Sequence, residues 1–425
     1  MNKTTGAHGL VKTCFLGFLL YVYLGTQNLI PLPAVLTDAV IIFVILASSI
    51  MDGWRIRFKT DEAFRFGIRH FMLPVLLIFV YSIPNQLVRG LSFDYLQNTI
   101  TTCVRFLAYY CVGMITVRVF GKRTVEYLLL MGIVAYVPAF IRHFQMYGLA
   151  GGITILLSLD VFHANLALEI HTLTYIFGFI ALYYAYRLCV EKEKGARWLF
   201  WLSVLLTMVG VKRIVLAALV FAIIMMLILN RFKPSQRYNL MHLGCWLLIA
   251  SSFAFLYLVH SGILEQALSS FGVNTNDRLF LWGLVRDKYT ISPLFLGHGI
   301  SYGTRIMEYV WKNTHLIHMV ALHCDIIRLY LGVGFVGSLL YWYNFFYATM
   351  RRVNRICSTN AAMFAFTMAV YFYINSATSN EGLNPITNGI FFAIIYTVVS
   401  FGPRRESITK ASGGDLVERT AEDSV

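Results

Sequence analysis

The feature that most constrains this chain is a succession of apolar runs, each near the 17–25 residues a helix needs to cross a hydrocarbon core. They fall at about 13–30, 33–51, 71–88, 99–117, 124–141 and 170–188, then at 198–211, 214–230, 240–260, 325–348, 361–378 and 386–402. A backbone in lipid must satisfy its own hydrogen bonds, and no closed-barrel alternation is visible, so the runs predict helices. The expected fold is an all-α polytopic membrane protein with about 12 transmembrane helices and one long external loop carrying short helices. This transmembrane domain fills residues 1–403, and the polar segment 404–425 is expected to be a disordered cytoplasmic tail. A length of 425 residues would otherwise suggest two or three soluble domains. Composition excludes that: 58% of residues are hydrophobic and 13% charged, against about 45–50% and about 25% in soluble proteins. The first run lacks a small-residue cleavage site and is read as a retained span.

The formal net charge of +14 invites a nucleic-acid reading, but the basic residues follow topology instead. With the N-terminus inside, every inside connection is basic, for example Arg55, Arg57 and Lys59, or Arg351, Arg352 and Arg355. Both termini are then cytoplasmic, and no acidic partner is needed to explain the charge. The seven cysteines form no CxxC or zinc spacing and read as small membrane-buried hydrophobes. No internal repeat and no nucleotide-binding loop is present.

Basic residues on the external side oppose this bias and are the informative ones. Lys212 and Arg213 sit at the external end of a helical hairpin. They could be a snorkelling pair marking the interface, or a fork for phosphate or carboxylate. Arg278, Arg286, Lys288, Arg305 and Lys312 share the external connection 261–324, opposed only by Glu265, Asp277, Asp287 and Glu308. A net positive loop of this length draws anionic substrates. Leu279, Trp282, Leu284 and Val285 recur there at helical spacing, with Asn276 and Asp277 as capping candidates and Ser292-Pro293 as a stop. Arg278 could pair with Asp277 in solvent or bind the substrate. His315, His318 and His323 cluster on the same side, but their offsets do not match a helical metal site and no HExxH occurs, so no metal is expected. His323, with Asp325 close behind at the mouth of a helix, suits an acid/base whose tautomer a carboxylate could fix. A hydrogen-bonded structural histidine is the competing reading. Cys324 has no activating arrangement beyond His323.

Asn276-Asp277-Arg278-Leu279, Trp282, Ser292-Pro293 and Gly297-His298-Gly299, followed by His323-Cys324-Asp325 and the Gly332–Gly337 stretch, resemble the signature of the O-antigen ligase/O-antigen polymerase superfamily. The resemblance covers about 265–340, with support from the Lys212-Arg213 position and the span layout. It implies a bacterial inner-membrane glycosyltransferase working on the periplasmic face without metal, cofactor or nucleotide sugar. Its partners would be a glycan carried on undecaprenyl diphosphate, an acceptor glycan (a lipid-linked repeat or lipid A core) and membrane lipid, with no nucleic acid. Mapped onto this chain, the resemblance assigns catalysis to Arg213, Arg278 and His323. Lys212, Asp325, Arg286, Arg305 and His318 are expected to bind substrate. Cys324 stands where relatives carry Asn, and Arg328, Tyr330 and Leu331 stand where many carry an acidic residue before the glycine. Polymerase is the leading expectation and ligase the alternative. A twelve-span secondary transporter is the alternative of another class, disfavoured by the lack of repeat symmetry.

Overall fold

The structure, a computed structural model, describes residues 4–25, 34–51, 62–88, 90, 92–158, 171–210, 212–271, 278–314, 322–380 and 382–402. In chain order the helices are α1 (Thr4–Gly25), α2 (Ala34–Met51) and α3 (Glu62–Gly67), which runs through a π-helical turn (Ile68–Met72) into α4 (Leu73–Val88). Then come α5 (Phe93–Phe120), α6 (Thr124–Ser158), α7 (His171–Cys189), α8 (Ala196–Val209), α9 (Arg213–Asn230) and α10 (Pro234–His260). The short helices α11 (Ile263–Ser270), α12 (Arg278–Arg286) and α13 (Tyr302–Thr314) follow. The last are α14 (Asp325–Trp342), joined by a π-helical segment (Tyr343–Ala348) to α15 (Thr349–Ile356), then α16 (Thr359–Ser376) and α17 (Pro385–Phe401). No strand occurs among the described residues. The expected cap at Asn276 and Asp277, His318 and the 404–425 tail lie outside the described residues.

Within the described residues each of the twelve apolar runs overlaps a helix. Among the described residues, five stretches are long and apolar enough to cross a membrane: Glu62–Val88, Phe93–Ile155, Arg213–Asn230, Pro234–His260 and Asp325–Ile356. The others are shorter or less apolar. Among these, α7, α16 and α17 are buried on nearly all sides, as expected of helices that are apolar all round. They form the centre, and the more exposed α9 and α10 turn rows of Val, Ile, Leu and Phe outward. Close approach is what small residues permit where packing between helices holds a bundle together. A Cβ on Gly113 of α5 would come within 2.9 Å of the Gly389 carbonyl of α17. At the centre, the Tyr371 hydroxyl of α16 donates to the Tyr175 carbonyl of α7 at 3.2 Å.

Polar links join the periphery. Arg105 of α5 grips Asp38 of α2 with both Nε and Nη2, at 2.8–3.1 Å. Arg237, buried in the first turn of α10, donates to the carbonyls of Leu229, Asn230 and Phe232. It thereby caps the end of α9, whose last carbonyls have no helical partner.

Candidate functional site

The connection between α10 and α14 is built around a break in α14. Gly334 has φ +68 inside that helix and Gly297 has φ +82 in the loop before it. The loop docks into the break through three backbone hydrogen bonds: His298 N–H to Leu331 O (2.7 Å), Gly299 N–H to Gly332 O (2.8 Å) and Phe335 N–H to Phe295 O (2.9 Å). A Cβ on Gly297 would fall 2.6 Å from the Gly332 carbonyl, so the two glycine motifs are a matched pair of surfaces. His298 is part of this lock. It bonds the Lys288 carbonyl at 2.6 Å and stacks on Tyr302 with ring centroids 4.1 Å apart.

The amphipathic helix expected in this loop is α12, ending at Arg286, six residues ahead of the Ser292-Pro293 step. It buries Leu281, Trp282 and Val285, and the Trp282 ring meets Phe255 of α10 edge-on at 5.6 Å. The Trp282 indole N–H donates to the Leu322 carbonyl at 3.2 Å. Arg278 lies one turn earlier on the same face, since residues i and i+4 are neighbours on a helix. The bond thus holds the segment before α14 against the helix that carries Arg278.

His323 follows Leu322. It adopts φ +49, an unusual backbone state for a residue with a side chain and one that clusters at functional positions. Burial lowers its pKa from 6.5 to about 4, helped by the nearby charges of Arg278 and Lys212. The imidazole is therefore neutral around pH 7 and able to accept a proton. Lys212 caps the start of α9 in an extended conformation, and its ammonium lies over the Tyr175 ring, 5.2 Å from the centroid. The charges of two cations from separate parts of the chain, Arg278 and Lys212, thus bear on the His323 imidazole.

The remaining predicted residues are placed as follows. Arg213, the first residue of α9, is exposed beside Lys212, and it is Lys212 whose charge bears on His323. Asp325 is buried, and its Oδ2 accepts from the Leu383 amide at 3.1 Å, tying the start of α14 to the loop ahead of α17. Arg328 lies 3.9 Å from the Asp325 carboxylate and lines a narrow cavity of about 20 Å³ between α4, α5 and α14. Arg286 faces Glu265 at 3.9 Å, at the end of α10 and α11. Arg305 lies over the Tyr95 ring at 5.4 Å, and the Tyr95 hydroxyl reaches Glu308 at 3.4 Å. Cys324 is fully buried and its thiol is pushed up, so it stays protonated. Trp282 was visible in the sequence as part of an apolar helix face and of a motif; its indole N–H, bonded to Leu322, ties the helix that carries Arg278 to the residue before His323. No group of three His, Cys, Asp or Glu side chains suited to a metal occurs among the described residues.

Chemically, a neutral, half-buried imidazole within the field of two cations suits a reaction in which a hydroxyl is deprotonated while an anion is held. In comparisons with known proteins, no family model and no curated protein matches the chain.

Proposed function

We propose that this chain is a polytopic membrane glycosyltransferase that moves a glycan from an undecaprenyl diphosphate carrier onto an acceptor sugar hydroxyl. We read it as a surface-polysaccharide polymerase, with the site on the external face of a bacterial inner membrane. The observation that carries this reading is His323, held in a left-handed backbone and kept neutral by burial and by the charges of Arg278 and Lys212. The membrane setting is supported by the crossing-length apolar stretches among the described residues, and the resemblance seen in the sequence supplies the substrate class.

In this reaction the bond between the anomeric carbon and the phosphate oxygen breaks, and the diphosphate leaves with the electron pair. Arg278 and Lys212 hold the charge that develops on it, where preorganised cations are most effective. The acceptor hydroxyl forms the new bond at the anomeric carbon and passes its proton to His323. Donor binding also prepares the base. A diphosphate between the two cations offsets two of the three causes that depress His323, so its pKa rises when the donor is in place. The free protein keeps a weak base, and the loaded protein a stronger one. The lipid tail enters sideways between helices, which suits a site at the end of the bundle.

The test is a reaction of the purified protein with lipid-linked repeat units, with and without lipid A core. A ladder from repeats alone is the expected product. A product that forms only with the core marks a ligase instead. Transport without any new glycosidic bond contradicts the proposal.

A further inference from the structure

At the other end of α10 from the His323 loop is a cleft of about 490 Å³, lined by Ser235, Tyr238, Arg351, Asn354, Arg355 and Thr359. α10 has 27 residues, which at 1.5 Å per residue puts this cleft roughly 40 Å from the His323 end. Arg351 and Arg355 are one turn apart on α15 and both exposed, while Met350, Val353 and Ile356 bury the opposite face. No acidic side chain lines the cleft. No ion pair to Arg351 or Arg355 occurs among the described residues. Their neighbour Arg352, by contrast, is engaged with Glu62 at 2.8 Å, and Arg237 is used up in capping α9.

Above the two arginines the same two walls continue as aromatic rows. On α10, Tyr238 is followed at one-turn intervals by His242 and Trp246. Facing them, Tyr343 and Tyr347 precede Arg351 and Arg355 at the same interval. The rows interlock: His242 Nε2 and the Tyr347 hydroxyl are 2.8 Å apart, and Trp246 lies 5.7–5.9 Å from both tyrosine rings. Leu240, Leu243 and Leu247 beside them are exposed. The result is a basic mouth opening onto an aromatic and aliphatic wall.

We propose that this cleft binds the phosphate headgroup of an anionic phospholipid, with an acyl chain lying along the Trp246–Tyr347 wall. Basic pockets between membrane helices on the cytoplasmic side take anionic headgroups, and interfacial aromatics sit at headgroup level. A free phosphate could use the arginines but has no need of the wall. The inference is independent of the glycosyltransferase reading and needs only that the bundle sits in a membrane with this end of α10 at headgroup level, on the cytoplasmic side.

The experiment uses the full chain in detergent, with phosphatidylglycerol and phosphatidylcholine of matched chains as probes and bound lipid counted by native mass spectrometry. Phosphatidylglycerol is expected to be retained preferentially. Arg351→Gln with Arg355→Gln should weaken that retention roughly 10- to 30-fold, the effect of two near-surface basic residues on anionic lipid. Millimolar inorganic phosphate should leave it unchanged. Equal retention of the two lipids by the unaltered protein overturns the proposal whether or not the double variant folds. So does a folded double variant that keeps the preference, or displacement of the lipid by inorganic phosphate.

Discussion

The indole N–H of Trp282 and the carbonyl of Leu322, 3.2 Å apart, join the loop helix that carries Arg278 to the residue just before His323. The two partners are 40 residues apart in sequence. One buried hydrogen bond therefore sets the spacing between a cation and an imidazole that the sequence alone leaves unrelated.

Trp282→Phe keeps an aromatic ring against Phe255 and removes the donor together with part of the buried ring volume. The Leu322 carbonyl is then left without its partner, at a cost of about 1–3 kcal/mol. Thermal unfolding should register that loss. Glycan transfer should fall chiefly through kcat, because the donor cations remain while their alignment with His323 loosens.

Gly334→Ala places a side chain on a residue at φ +68, directly against the Phe295 carbonyl. With ψ −164 this is a backbone state that essentially only glycine adopts, strained by about 1–3 kcal/mol for a residue with a Cβ, and here the loop must also leave its seat. Limited proteolysis of the 295–299 segment should become faster. Gly283→Ala, where an added Cβ meets open space, provides the control.

The site residues were legible in the sequence to different degrees, for physical reasons. Arg278 and Trp282 could be related, because four-residue spacing fixes a helix face. His323 could be singled out by its position at a helix mouth. Between Lys212 and Arg213, however, the sequence favours Arg213 for its planar fork. The one whose charge bears on His323 is Lys212, at the extended cap position before α9 begins, where helical periodicity does not apply. Arg286 and Arg305 look equivalent to Arg278 in sequence, yet distant partners, Glu265 and Tyr95, engage them. The two glycine motifs were visible, but their mutual docking depends on a break inside α14 that the apolar pattern conceals. The helices themselves were readable from the apolar runs. The burial of α7, α16 and α17 was not, since a lipid-facing helix and a bundle-centre helix are both apolar.

Arg278→Gln removes one of the two cations that depress His323. The pKa of His323 should rise, measured by the pH dependence of imidazole modification or by NMR of labelled histidine. Lys212→Gln should shift it in the same direction. Transfer should nonetheless drop by roughly 10²–10³ for Arg278→Gln, the scale seen when a charge-stabilising donor is lost. A raised pKa with lowered activity separates charge stabilisation from a purely structural role.

Stability should depend on pH through the same histidine. His323 is near 6.5 in the unfolded chain and about 4 in the folded one, so the folded state binds its proton less readily. Its contribution is fully present above pH 6.5 and is lost as pH falls through 6.5 toward 4. Unfolding curves taken across that window should show the decline, and His323→Gln should flatten it.

The most direct test of the central claim is single-turnover transfer from a lipid-diphosphate-linked repeat by the purified protein and by His323→Gln, with donor binding measured alongside. Donor binding should change little, because Arg278 and Lys212 are intact, while transfer falls by roughly 10²–10⁴, the usual contribution of a general base. A His323→Gln protein that binds donor and transfers glycan at the rate of the unaltered chain would contradict the account.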